Sequence, residues 1–154
     1  MIKHLWTLIT RQSNIDQETK NIIIGEVLED IQFDLPLEAK EKFDQEIKTS
    51  KQISIPLVFE IVSCLSETDA NLKPQIRFEV ELPNGHRIDL GNLEAVFGKN
   101  GKVHIRLRSS TLPISGPGVN TFRLLQVAGK ESTILSEVPL TITINFKALD
   151  PKKG

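Results

Sequence analysis

Tyrosine is absent from this 154-residue chain, tryptophan and cysteine occur once each, and aromatic residues make up only 5%. The lone cysteine, Cys64, excludes an intramolecular disulfide. The shortage of rings weighs against a sugar platform, which relies on exposed aromatic faces. No run approaches the ~18 apolar residues needed to cross a membrane. The opening MIKHLWTLITRQ is interrupted by His4, Thr7 and Thr10, and it lacks the hydrophobic region and small-residue cleavage site of a secretory signal. A cytoplasmic protein with no membrane partner is the expectation.

An excess of one charge is missing too. Lys and Arg total 19 against 20 Asp and Glu, for a formal net charge of -1. That balance exerts no general pull on nucleic acid, which is disfavoured as a partner. The spacings that announce chemistry are also absent: Cys-x-x-Cys, His-Glu-x-x-His and Gly-x-Ser-x-Gly. ISGPGVN (114–120) has glycines but neither the Lys-Ser/Thr nor the following helix of a phosphate loop, and reads as a turn. No catalytic residue, cofactor site or metal site is therefore assigned. With no repeat, low-complexity tract or linker, residues 1–149 form one expected domain, followed by a disordered tail, 150–154.

What is present is alternation. Ile76, Phe78, Val80 and Leu82 alternate with Arg77, Glu79 and Glu81, giving one apolar and one charged face. A three-residue loop Pro83-Asn84-Gly85, with Gly in the left-handed position, sets Val80 opposite Ile88, Phe78 opposite Leu90 and Glu81 opposite Arg87. A two-residue Asn84-Gly85 loop would mix the faces and is rejected. The same logic at Lys99-Asn100-Gly101 pairs Phe97 with Val103, Ala95 with Ile105, Leu93 with Leu107 and Glu94 with Arg106. Core-facing positions are even at Ile88 and Leu90 but odd at Leu93, Ala95 and Phe97. That parity change predicts a bulge or corner near Gly91-Asn92, where the chain could pass to another sheet.

Elsewhere, residues 2–10 suit a strand with Leu5, Thr7 and Ile9 on one side and His4, Trp6 and Leu8 on the other. Residues 11–20 are a polar connection. Residues 21–33 start apolar on both faces and suggest a central strand, in which Gly25 marks a bulge or close packing. Ala39, Phe43 and Ile47 recur every four residues, so 36–48 is one short helix capped by Asp34, with an extended loop as the alternative. Residues 52–65 turn Ile53, Ile55, Leu57, Phe59, Ile61 and Leu65 inward, with Pro56 marking an edge or an interruption. Strands at 119–128 and 134–147 close the chain, the latter with Val138, Leu140, Ile142, Ile144 and Phe146 inward.

About seven to nine such strands predict an all-β chain, a two-sheet antiparallel β-sandwich of Ig-like or Greek-key type. The succession LWTLITRQ, NIIIGEVLEDI, ISIPLVFEIVSCLS, PQIRFEVELPNGHRI, GPGVNTFRLLQVAGKES and EVPLTITI resembles a family of small bacterial β-sandwich proteins, a domain of unknown function. The resemblance spans most of the chain. It implies a free-standing cytoplasmic sandwich from a bacterium and carries over no catalytic residue.

Among candidate side chains, His104, Arg106 and Arg108 line one face of a strand, with Arg77, Arg87 and Arg123 as neighbours on the anion-patch reading. The plainer reading pairs these cations with Glu79, Glu81 and Glu94 on a solvated face. The register separates His86 from His104 and opposes a shared metal; His4 stays unplaced. Cys64 has no basic neighbour in sequence and reads as a structural thiol. Glu26, Glu29, Asp30 and Asp34 mark solvent-facing positions rather than a paired acid. Ranked first is a non-catalytic binding or protein-interaction module, engaging an unknown protein partner or forming a homo-oligomer through an edge strand. A carbohydrate or small-ligand sandwich is the second reading, which an exposed Trp6 beside another ring would favour. An enzyme with an unrecognised site is the third.

Overall fold

Residues 1–148 are described by a computed structural model. In chain order the elements are β1 (Lys3–Thr10), β2 (Ser13–Ile15), β3 (Ile22–Ile24), β4 (Asp30–Pro36), a 3-10 turn (Leu37–Ala39), α1 (Lys40–Ser50) and β5 (Ile53–Ser66). There follow β6 (Gln75–Glu81), β7 (Arg87–Glu94), β8 (Lys102–Ile114), β9 (Gly118–Ala128) and β10 (Glu131–Lys147). The chain is all-β with one short helix, as its alternation implies. The described residues hold ten strands in three sheets, of order β1-β5-β8, β4-β10-β9-β6-β7 and β2-β3. The expected tail at 150–154 lies outside the described residues.

Apolar side chains of the two larger sheets share one cluster. Ile9, Phe59, Ile61, Leu65 and Ile105 from the first sheet meet Ile76, Phe78, Val80, Phe122, Leu124, Leu140 and Ile142 from the second. Phe59 and Phe122 make an edge-to-face contact across them, with centroids 5.8 Å apart and planes at 69°. Such pairs contribute ~0.5–1.5 kcal/mol beyond their burial. All the residues expected to point inward from β5 and β10 belong to this cluster or pack against it.

The helix reading of 36–48 holds, but Asp34 does not cap it; Asp34 lies in β4 and binds Lys147 at 3.3 Å. The helix buries Phe43 edge-on against Phe146 of β10, at 5.6 Å. Residues 21–33 are not one central strand. They divide into β3 and β4, and β4 runs parallel to β10 at the sheet edge, so the pairing is not wholly antiparallel. A parallel edge is possible here because the helix and the five strands β5 to β9 lie between β4 and β10 in the chain. The polar connection 11–20 contains β2, which pairs with β3.

The first meander turn forms as expected. Gly85 has φ 86°, Val80 faces Ile88, and Glu81 faces Arg87. The bulge also forms, shifting Phe78 from the expected Leu90 to Gly91. The second turn closes through Gly98 and Lys102, yet its arms separate. Ala95 N–H bonds Pro74 O on one side, and Glu67 N–H bonds Gly101 O on the other. So β7 stays with β6 while β8 enters the other sheet beside β5, and the pairs of Leu93, Ala95 and Phe97 with β8 do not occur. A bulge bends its strand and adds twist, and the bend at Gly91 carries β7 along β6 and away from β8. Sheet exchange thus happens at 95–101 rather than at Gly91-Asn92.

Candidate functional site on the three-stranded sheet

Cross-strand register builds the outer face of this sheet row by row. Trp6 faces Cys64, which faces His104; Leu8 faces Val62, which faces Arg106; Thr10 faces Glu60, which faces Arg108. The register shift between His4 and Trp6 places Leu5 in a bulge, which turns His4, expected beside Trp6, onto the inner face with Thr7 and Ile9. There His4 Nε2 lies 2.7 Å from Thr7 Oγ1, which contacts Ser63 Oγ in turn. Burial holds the His4 imidazole below its ordinary value.

The three stripe residues share the outer face but do different things. His104 is half-buried, 5.6 Å from the Trp6 ring, and burial lowers its pKa, with Lys102 adding to the effect. Arg106 does not pair with Glu94. Its Nη1 donates to Ser13 O at 3.0 Å, while Glu94 accepts from Gln75. Arg108 is exposed and has no ion pair among the described residues, although Glu60 stands opposite in register. Arg77, Arg87 and Arg123 do not join the stripe. They lie on the five-stranded sheet, where Glu81 takes Arg87 at 3.0 Å and Arg123 at 3.2 Å, and Arg77 reaches Glu79 at 4.0 Å.

Two residues escape a reading by periodicity. Ser13 donates through Oγ to Glu60 Oε2 at 2.5 Å, and Glu60 is only 6% exposed. With Arg106 they tie the β2-β3 hairpin across the outer face. Ile15 and Ile22 are half-buried on the same side of that hairpin as Ser13, and Asn14 and Ile23 are exposed on the other. The available signal was an acid inside the apolar run LVFEIVSC, because a buried carboxylate demands a partner.

Cys64 is buried on the central strand, in the row of Trp6 and His104, and burial pushes its thiol pKa up. His86 lies far along the chain from this face and contacts Gln52 at 3.1 Å. It lines a shallow hollow of about 470 Å³ with Ile47, Lys48, Lys51 and Asn84. Among the described residues no three His, Cys, Asp or Glu side chains converge as metal ligands, and no helix is long and apolar enough to cross a membrane. The strand carrying Pro56 is central in its sheet, but β1 pairs with it only at residues 60–66, so around Pro56 it has β8 on one side alone, and that pairing is interrupted by a bulge between Pro56 and Phe59.

β8 is an outer strand of this sheet. β8 bonds β5 on one side, and its other side has no strand partner among the described residues. Its outward cations Lys102, Arg106 and Arg108 are exposed, and its inward Val103 and Leu107 are half-buried.

No protein-family model matches the chain, and no curated protein matches it. Among solved structures the chain is similar to the putative ApaA protein from Bordetella pertussis at 10% identity, over 91% of this chain and 95% of that one, with a TM-score of 0.30. A TM-score that low leaves the two backbones largely unsuperposed.

Proposed function

We propose that this chain is a non-catalytic binding module that engages a protein partner along an open strand edge. The observation that supports it is the β8 edge: between Lys102, whose carbonyl takes Gly98 N–H, and the buried Leu112, the strand has β5 on one side and no strand on the other among the described residues. An unpaired edge presents a row of backbone donors and acceptors, and an extended segment can add to it. In this reading the two larger sheets are halves of a sandwich with Greek-key connections, in one domain over 1–149. The protein works in the cytoplasm and belongs with the bacterial sandwiches that its sequence resembles. It needs no cofactor and does not act on nucleic acid.

Affinity capture with mass spectrometry, followed by titration of the purified candidate, tests the reading. A saturable complex of fixed stoichiometry is expected. Turnover of a substrate by the purified chain, with no protein complex, would overturn it.

One contact favours the second reading. Trp6 is half-buried and its ring stands beside that of His104 with planes at 41°, so a small apolar-polar surface is open to a sugar or similar ligand. Binding on a glycan array that disappears in Trp6→Ala would make this the leading function.

A further inference from the structure

Resting on the interaction-module reading, we infer that the β8 edge takes an extended segment in which acidic and apolar residues alternate. A strand added beside β8 continues the sheet, so its side chains alternate between the same two faces. On the outer face they meet Lys102, Arg106 and Arg108, which are all exposed. His104 is the weakest cation of the stripe, because burial and then the nearby Lys102 disfavour its imidazolium. Arg106 spends one N–H group on Ser13, and Arg108 has no ion pair among the described residues. On the inner face the added strand meets Val103 and Leu107, which pack against the core yet stay half-exposed. Carboxylates outward and aliphatics inward satisfy both faces.

The same charges oppose the other obvious occupant. Antiparallel pairing of β8 with β8 of a second copy would set Lys102, Arg106 and Arg108 against their own kind, and like charges facing each other across a ladder are destabilising. Cations on an edge strand also deter indiscriminate pairing. Selection of an acidic partner and rejection of self therefore follow from one stripe.

Fluorescence anisotropy with labelled peptides of about nine residues tests this, a length that spans ~30 Å of edge. One peptide alternates valine and glutamate, a second carries lysine for glutamate, and a third places proline at the centre of the first. The valine-glutamate peptide should bind the full chain saturably, and the other two at least about tenfold more weakly. Arg108→Glu should weaken it about tenfold, and Lys102→Glu with Arg108→Glu should reverse the preference toward the lysine peptide. Both positions are exposed, and thermal unfolding checks that the variants fold. Backbone amide shifts should concentrate at residues 102–109.

Equal binding of the acidic and basic peptides would overturn the inference, as would no saturation below about 1 mM. Shifts confined to β7 or to the loops would also overturn it while leaving the interaction-module reading intact. A homodimer in analytical ultracentrifugation whose amide-exchange protection falls on residues 102–109 would replace the acidic partner with a second copy.

Discussion

Arg106 and Ser13 meet across 93 positions of sequence: the guanidinium Nη1 donates to the Ser13 carbonyl oxygen at 3.0 Å, and the same Ser13 donates to the buried Glu60. This contact fastens a short hairpin over the outer face of the three-stranded sheet. Removing it should free the hairpin without dismantling the core. Arg106→Ala should cost about 1 kcal/mol, the lower end of the ~1–3 kcal/mol for an acceptor left without its partner, because this contact is only partly buried. Hydrogen exchange should rise in residues 12–26 and stay unchanged in β9 and β10. Uniformly faster exchange along the chain would show that Arg106 supports the whole fold rather than the hairpin.

The Phe59–Phe122 contact joins the two larger sheets within their shared core. Phe59→Ala should destabilise by about 3–5 kcal/mol, since it removes a large ring from a site 1% exposed and leaves a cavity. Phe122→Ala should cost a similar amount. In a double-mutant cycle the two losses should fall short of additive by about 0.5–1.5 kcal/mol. Strict additivity in urea unfolding would mean that the rings do not support each other.

The inward faces of β5, β6 and β10 were legible in the sequence because alternation at period two is local. Ile53 to Leu65 and Val138 to Phe146 needed nothing but their own spacing, and the Asn84-Gly85 turn fixed its register through Val80, Ile88, Glu81 and Arg87. What stayed hidden depends on partners far along the chain. Lys99-Asn100-Gly101 looks like the first turn, but Ala95 bonds Pro74 and Gly101 bonds Glu67, so the hairpin opens between two sheets. Likewise the spacing pairs Arg106 with Glu94, whereas β8 lies beside β5 and sets Arg106 opposite Val62. Of the stripe, sequence supplied the shared face of His104, Arg106 and Arg108 but not their unequal surroundings, which come from Trp6 and Ser13.

Acid should weaken the fold in two stages. His4 and His104 are held below the ordinary imidazole value of 6.5 by burial. As pH falls through 6.5 the unfolded chain therefore binds protons more readily than the native one, and stability that is complete above this range begins to fall. Arg87, and then Arg123, hold the Glu81 carboxyl below the usual carboxylate range. Its contribution is present above the unfolded value of ~4.3 and is lost as pH drops toward the folded one. Urea midpoints measured from about pH 8 to pH 3 should trace both losses. The double variant His4→Gln and His104→Gln should flatten the first, and Glu81→Gln should reduce the second. A wild-type midpoint that does not move between pH 7 and pH 5 would refute the histidine part.

Cys64 should be nearly inert in the native protein. Its thiol is buried between Trp6 and His104, and burial raises its pKa above the ordinary 9.0, so little thiolate exists at neutral pH. Labelling by an aromatic disulfide reagent at pH 8 should be at least about a hundredfold slower than in urea, and the rate should follow opening of the structure. Labelling of the folded chain at the rate of a free thiol would place Cys64 in an accessible, activated setting.

Two Asn-Gly turns that look interchangeable in sequence should respond very differently to the same substitution. Gly85 and Gly101 both sit at positive φ, 86° and 73°, where a side chain costs about 1 kcal/mol of backbone strain. A Cβ at Gly85 would meet nothing within 4 Å, so Gly85→Ala should cost little more than that strain. At Gly101 the Cβ would lie 2.7 Å from the Glu67 carbonyl oxygen, which belongs to the backbone and cannot swing aside. Glu67 is fixed there because its N–H bonds Gly101 O, the first link between β5 and the chain entering β8. Gly101→Ala should therefore cost at least about 2 kcal/mol more than Gly85→Ala, with faster amide exchange at residues 66–68 and 101–104. Equal losses in the two variants would mean that the second turn is an ordinary hairpin and that β8 does not leave β7 at this point.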